Sequence, residues 1–196
     1  MNLESDKYTL ERTEAFMTVG ELLTNYYDRE RFVAYCRKCE NYGRLWSCPE
    51  YGFLPLDYLK EHEGLWLIAT RIWLDPQLRE EIITREGLDE VSREIVGEVK
   101  EAVDRELLAE EKAHKGLRML SCGGCRLCHR CARLDGMPCR QPGRMRYSLE
   151  SLGCDVTALA RDKLGLEFQW IDGRLPEYLA LVNGMLVKEP PEGEMK

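Results

Sequence analysis

Five of the nine cysteines fall within eighteen residues: Cys122, Cys125, Cys128 and Cys131 at three-residue steps, then Cys139 behind Pro138. A second group, Cys36, Cys39 and Cys48, lies upstream, with Pro49 directly after its last thiol. An apolar core has no use for thiols at that spacing. A metal or an iron–sulfur cluster does, because a tight C-x2-C-x2-C loop delivers successive thiolates to one point. Cys36, Cys39, Cys48, Cys122, Cys125, Cys128, Cys131 and Cys139 are therefore the candidate metal ligands.

Zinc has to be tested on the same residues. Structural zinc takes four ligands in a tetrahedron, commonly from two C-x2-C pairs, and Cys36 and Cys39 with one later pair could supply them. The unbroken run of Cys125, Cys128 and Cys131 instead has the spacing with which bacterial ferredoxins hold three corners of a [4Fe–4S] cube. In those ferredoxins the next cysteine comes four residues on, before a proline; here it comes eight on, after Pro138. Charge supports a cluster. Arg126, Arg130 and Arg133 interleave with the run and Arg140 follows Cys139, and cations beside an anionic four-thiolate cluster stabilise it. Arg126, Arg130 and Arg140 are the candidate cofactor-binding cations. Gly123 and Gly124 leave backbone amides free to point at sulfur. A zinc–thiolate site is anionic too, so charge alone does not separate the two. The reading is one or two [4Fe–4S] clusters, with zinc the alternative.

The elements that must position these thiols are legible in part. Thr18 and Glu21 have capping-box spacing and predict a helix toward Tyr27. A second helical stretch over residues 28–35 delivers Cys36 and Cys39, and Asn41-Tyr42-Gly43 reads as a turn. Residues 65–74 are the strongest strand candidate, ended by Asp75-Pro76. Val91, Ile95, Val99, Ala102, Val103 and Leu107 recur at helical spacing and predict an amphipathic helix to Ala113. Residues 117–120 read as a short strand, so strand, helix and strand form a crossover unit of the kind that joins parallel strands. The second cysteine group begins directly after that strand, where sites form in α/β sheets. Asp155 predicts a helix cap and Gly165 its stop. Asn183-Gly184 between two apolar runs predicts a type I′ hairpin. The chain thus reads as a single α/β domain, a small mixed sheet with crossover helices and a cysteine-rich face that binds a cluster. The parts expected are a helical segment over residues 1–60 with the first cysteine group, an α/β core over 61–189 with the second, and a frayed tail over 190–196 that begins with Pro190 and Pro191.

Nothing in the first twenty residues reads as a signal peptide and no apolar run is long enough to span a bilayer, which predicts a cytoplasmic chain without membrane contact. Disulfides rarely persist in that compartment, and nine is an odd number of thiols. The net charge of −7 hides an asymmetry: residues 115–147 carry eight basic side chains against one acid, Asp135. This basic segment is the cysteine segment. It lacks interleaved aromatics in an acidic chain and is not read as a nucleic-acid surface. It predicts docking of a redox partner protein or of a small anionic ligand. His129 reads as a polar neighbour of the cluster, and Tyr42, Trp46, Tyr51 and Phe53 as packing that shields Cys48. No phosphate loop, nucleophile elbow or radical-initiating cysteine spacing is present, and no catalytic residue is named.

Several stretches resemble one family: Cys36-Arg37-Lys38-Cys39 with Asn41-Tyr42-Gly43, Trp46-Ser47-Cys48-Pro49, the run from Gly124 through Cys131 to Ala132, Pro138-Cys139-Arg140-Gln141-Pro142, and the stretch from Ser148 to Val156. Over residues 35–187 the chain resembles an uncharacterised, anaerobe- and archaea-rich family of cysteine-rich prokaryotic proteins catalogued as predicted metal-binding proteins. The resemblance implies metal binding and little further chemistry. Its pattern falls on seven cysteines, leaving Cys122 and Cys154 as extras. Seven is one short of two four-thiolate clusters, so either an extra cysteine completes the count or one iron stays open to another ligand. The function expected is an iron–sulfur electron-transfer or redox accessory of anaerobic metabolism. The alternative is a zinc-stabilised or metal- or cofactor-delivery module without redox activity, and an enzyme working at an open iron rests on the cysteine count alone.

Overall fold

The structure, a computed structural model, describes residues 5–189; the tail expected to fray from Pro190 lies outside them. Four strands form one sheet in the order β1-β2-β4-β3, with every neighbouring pair antiparallel. They are β1 (Tyr8–Thr18), β2 (Gly64–Leu74), β3 (Leu117–Leu120) and β4 (Tyr178–Val187). Successive side chains of β2 point to opposite faces. Leu65, Leu67 and Ala69 meet one core and Ile68, Ile72 and Leu74 the other. Burial on both faces explains why β2 reads as an almost continuous apolar run. Each fully buried leucine or isoleucine there contributes about 1.5–3 kcal/mol.

One face is covered by α5 (Arg85–Ala113), with α4 (Pro76–Glu81) leading into it. Thr84 caps α5 by accepting the Gly87 N–H, and Ile95, Val99, Val103 and Leu107 form its buried stripe. The other face carries the short helices α1 (Val19–Asn25), α3 (Pro55–Lys60), α6 (Leu149–Leu152) and α7 (Val156–Leu164), while α2 (Arg29–Cys36) packs on α6 at the rim. The expected caps are in place: Thr18 accepts the Glu21 N–H, Asp155 accepts the Ala158 N–H, and left-handed Gly165 ends α7.

Three features differ from the sequence reading. The segment before α1, expected to belong to a helical part over residues 1–60, is the eleven-residue strand β1. Its charges fit an edge: Glu11 pairs with Arg71 at 2.9 Å and accepts the Trp73 indole N–H at 2.7 Å across the β1–β2 ladder. The crossover from β2 through α5 to β3 does return in the same direction, but β4 is inserted between the two strands and runs against both. Finally, Asn183-Gly184 is not a hairpin turn. Both residues lie mid-strand in β4, where Gly184 pairs with Leu67 on one side and Leu120 on the other. A Cβ on Gly184 would lie 2.9 Å from Leu65 Cδ1 and 3.4 Å from Leu120 Cβ. Close approach of side chains, not a turn, requires glycine there.

Candidate metal centre

The first cysteine group is shaped by a capped helix and a chain of turns. Asp28 accepts the Arg31 N–H and starts α2, whose last residue is Cys36. Cys39 N–H then donates to Cys36 O at 2.9 Å, Tyr42 N–H to Cys39 O at 3.1 Å, and Cys48 N–H to Leu45 O at 3.1 Å. The backbone curls at each step, and the thiols of Cys36, Cys39 and Cys48 end within electrostatic reach of one another. Burial pushes the Cys36 thiol up to about 11, and the neighbouring Glu150, Cys48 and Cys39 add to the effect. Burial also raises Cys48, against a contact from the Ser47 hydroxyl that favours the thiolate. Such thiols are held neutral until a cation arrives.

The second group leaves β3 directly. Ser121 N–H donates to Tyr147 O at 2.8 Å, pinning the base of a long loop, and Gly123, at φ 60°, turns its N–H onto Glu150 Oε1 at 3.0 Å. Cys131 precedes a short 3-10 helix (Ala132–Asp135) that left-handed Gly136 ends. This fold of the loop brings Cys125, Cys128, Cys131 and Cys139 to the wall of one small cavity of about 20 Å³, together with Trp46, Arg140 and Gln141. Two N–H groups of Gln141 point at two of the four sulfurs. Gln141 N–H donates to Cys139 Sγ at 3.4 Å and the Gln141 side-chain amide to Cys128 Sγ at 3.6 Å. The Leu127 N–H favours the Cys125 thiolate, although burial dominates and raises that thiol.

The two cysteine loops are stitched together. Cys125 N–H donates to Ser47 Oγ at 2.9 Å, and Trp46 Nε1–H donates to Met137 O at 3.0 Å. The Arg133 guanidinium donates to the carbonyls of Leu45, Cys48 and Glu50 at 2.8, 2.7 and 2.6 Å and stands 5.1 Å over the Trp46 ring. Behind Cys48, Tyr51 stacks on Phe53 at 5.0 Å and meets Tyr147 edge-on at 4.9 Å, while its hydroxyl holds Ser47 O.

The other residues singled out in the sequence fall in different places. Cys122 packs against the α5-side core, where burial pushes its thiol up to about 12, and does not line the four-thiol cavity. Cys154 is fully buried in the opposite core. Arg140 lines the thiol cavity, Arg126 lines a larger cavity next to it, and Arg130 is exposed in a 2.7 Å ion pair with Asp135. His129 is exposed. Sequence reasoning missed Ser47, Glu150 and Gln141. The pair Trp46-Ser47 and the residues around Glu150 stood inside family-like stretches, but no spacing marked them as partners of thiols.

Four thiols, a cationic rim and N–H donors aimed at sulfur form a donor set that suits a thiophilic centre. No three Cys, His, Asp or Glu side chains among the described residues converge closely enough to hold one metal ion. No helix of the described residues is long and apolar enough to cross a membrane. Neither curated proteins nor solved structures gave a match to the chain. The family described as "Predicted metal-binding protein (DUF2284)" matches residues 24–186, a span that begins before α2 and runs into β4 and so takes in every cysteine. The chain belongs to that metal-binding family.

Proposed function

We propose that Cys125, Cys128, Cys131 and Cys139 hold one [4Fe–4S] cluster, that Cys36, Cys39 and Cys48 hold a second iron–sulfur centre, and that the protein passes electrons to or from a partner. The observation that carries this is the lining of one cavity by four thiols with N–H donors on two of the sulfurs. Such a cluster supplies one-electron chemistry, and hydrogen bonds to its sulfurs raise its potential. In this chain Gln141 supplies two of those bonds, Arg140 adds positive charge at the rim, and Trp46 and Met145 limit water. At the upstream site Glu150 lies within electrostatic reach of Cys36 and Cys48 and offers an oxygen where a fourth thiol is missing.

Two observations separate cluster from zinc and pull in opposite directions. Zinc needs every ligand within about 2.3 Å of a single point, and no such convergence exists among the described residues. A cube meets each thiolate at its own corner, so its ligands can stay apart. Against this, about 20 Å³ is the space of one small body. Volume is the softer constraint, because between Ser121 and Tyr147 only a 3-10 helix of four residues is regular and the loop can swell. The zinc reading keeps that one argument.

The test is anaerobic purification of the full chain with iron, zinc and acid-labile sulfide assayed together. Brown protein with iron and sulfide in equal amounts is expected, and Cys128→Ser is expected to lose a whole cluster's iron. Colourless protein containing zinc, or Cys128→Ser with unchanged iron, would overturn the assignment.

A further inference from the structure

Beside the thiol cavity lies a second one of about 420 Å³, between α5 and the second cysteine loop. It is within the range of pockets that enclose small organic ligands. Its wall carries five cations and two carboxylates, in a chain that is acidic overall. Three cations are already matched. Lys100 Nζ is 2.7 Å from Asp104, Arg146 is 2.6 Å from Glu111, and Arg105 is 3.4 Å from Glu101. Arg126 and Arg144 have no carboxylate within ion-pair distance among the described residues; Arg144 donates to Gln141 Oε1 at 3.1 Å, a neutral acceptor. Two unneutralised guanidinium forks at one mouth are a receptor for a carboxylate or a phosphate.

The rest of the wall says what the anion is attached to. Leu108, Met119 and Leu127 supply an apolar surface. Deeper in, Lys100 and Ser121 are about 5% and 6% exposed, and the Ser121 hydroxyl donates to Asp104 at 2.9 Å while Lys100 Nζ donates to Ser121 Oγ. Asn183 from β4 closes the network with a donor 3.4 Å from Asp104 Oδ1. A pre-organised polar end buried beneath an apolar wall suits an organic molecule and has no role in docking a flat protein surface. Cys125 and Leu127 line both cavities, so the occupant would rest against the back of the four-thiol site.

We propose that this cavity binds a small organic anion, a carboxylate or phosphate ester with an apolar body, clamped by Arg126 and Arg144 against the metal centre's Cys125 wall. Anion binding stands on the cavity alone; what the anion meets at Cys125 rests on the function proposed above.

The experiment titrates phenyl phosphate, inorganic phosphate and phenol into the anaerobically purified full chain by calorimetry, with metal content measured on the same samples. Phenyl phosphate is expected to bind at least tenfold tighter than either fragment, and Arg126→Glu and Arg144→Glu each to weaken it at least tenfold. Arg161→Glu, an equal charge change on the exposed face of α7, is expected to leave affinity within twofold. The neutral variants Arg126→Gln and Arg144→Gln serve where a charge reversal fails to fold. Affinity that is no better than for inorganic phosphate, or that falls equally in Arg161→Glu, would overturn the pocket. Binding by protein that contains no metal would keep the pocket and remove the metal reading, and metal-loaded protein that ignores phenyl phosphate would do the reverse. In loaded protein, saturating phenyl phosphate is expected to shift the visible spectrum; binding without a shift would refute contact at Cys125.

Discussion

Replacing Arg133 by Met tests whether the two cysteine loops form one unit. The guanidinium donates to three carbonyls of residues 45–50, the segment that contains Cys48, while its own backbone lies just after Cys131. A hydrogen bond from a charged donor contributes about 1.5–3 kcal/mol net. Two of the three are partly buried, and the one to Glu50 O is exposed, where water replaces it at small cost. Taking the lower figure for two bonds gives about 3 kcal/mol, and the stacking on Trp46 adds up to about 1 kcal/mol. Arg133→Lys retains a point charge but cannot fork across three acceptors, and is expected to recover less than half.

Because these contacts join loops and do not enter either core, the loss is expected as local opening more than as global unfolding. About 3 kcal/mol corresponds to roughly a hundredfold in the opening equilibrium. Hydrogen exchange on the anaerobic protein is the assay. Protection of the amides of Cys39, Tyr42 and Cys48 is expected to fall by about that factor in Arg133→Met while the amides of β2 are unchanged. If the loop amides keep their wild-type protection, or β2 loosens equally, the clamp is not what holds Cys48 against the second loop.

Cys139→Ser is expected to remove metal with little effect on the apo fold, whereas Cys154→Ser puts a hydroxyl into a fully buried site and is expected to cost about 1–3 kcal/mol with metal content unchanged; metal analysis beside urea denaturation separates them. Gly184→Ala forces a Cβ to 2.9 Å from Leu65 Cδ1 and is expected to cost about 1–3 kcal/mol, read as a melting temperature lowered by several degrees. Burial alone would raise the Glu111 carboxyl, but hydrogen bonds from Arg146 and the Met119 amide, with the charges of Arg146 and Arg118, outweigh it and hold it below its ordinary value of 4.5. Its stabilisation is thus complete above that value and is lost as pH falls through the lower folded one, and Glu111→Gln, which strands buried Arg146, is expected to cost about 3 kcal/mol at neutral pH and to flatten this part of the acid titration.

What was legible in the sequence was local. Helix caps at Thr18 and Asp155 and the stop at Gly165 act within a few residues, and each stands where its spacing put it. The three-residue steps of Cys125, Cys128 and Cys131 are also a local signal, and these thiols do share a wall. Asn183-Gly184 failed for the opposite reason: a dipeptide suited to a turn was serving neighbours distant in sequence, with Gly184 making room for Leu65 and Asn183 reaching Asp104 on α5. Strand β1 was hidden because an edge strand carries charge on its exposed side, and the alternation drowned in Glu11, Arg12 and Glu14.

The same division runs through the site. Cysteine spacing names thiols, but it cannot say which loop backs which. Ser47 meets the Cys125 amide across 78 residues, and Gln141 reaches Cys128 across 13. Both contacts exist because Ser121 and Tyr147 close the second loop at the end of β3, which folds Cys139 back onto the run. The proposed centre thus hangs from the end of β3, where Ser121 N–H donates to Tyr147 O. The consequence is directional: damage to β3–β4 pairing would scatter the thiols, whereas loss of the thiols would leave both apolar cores intact, since Cys154, the one cysteine fully buried in a core, does not line the four-thiol cavity.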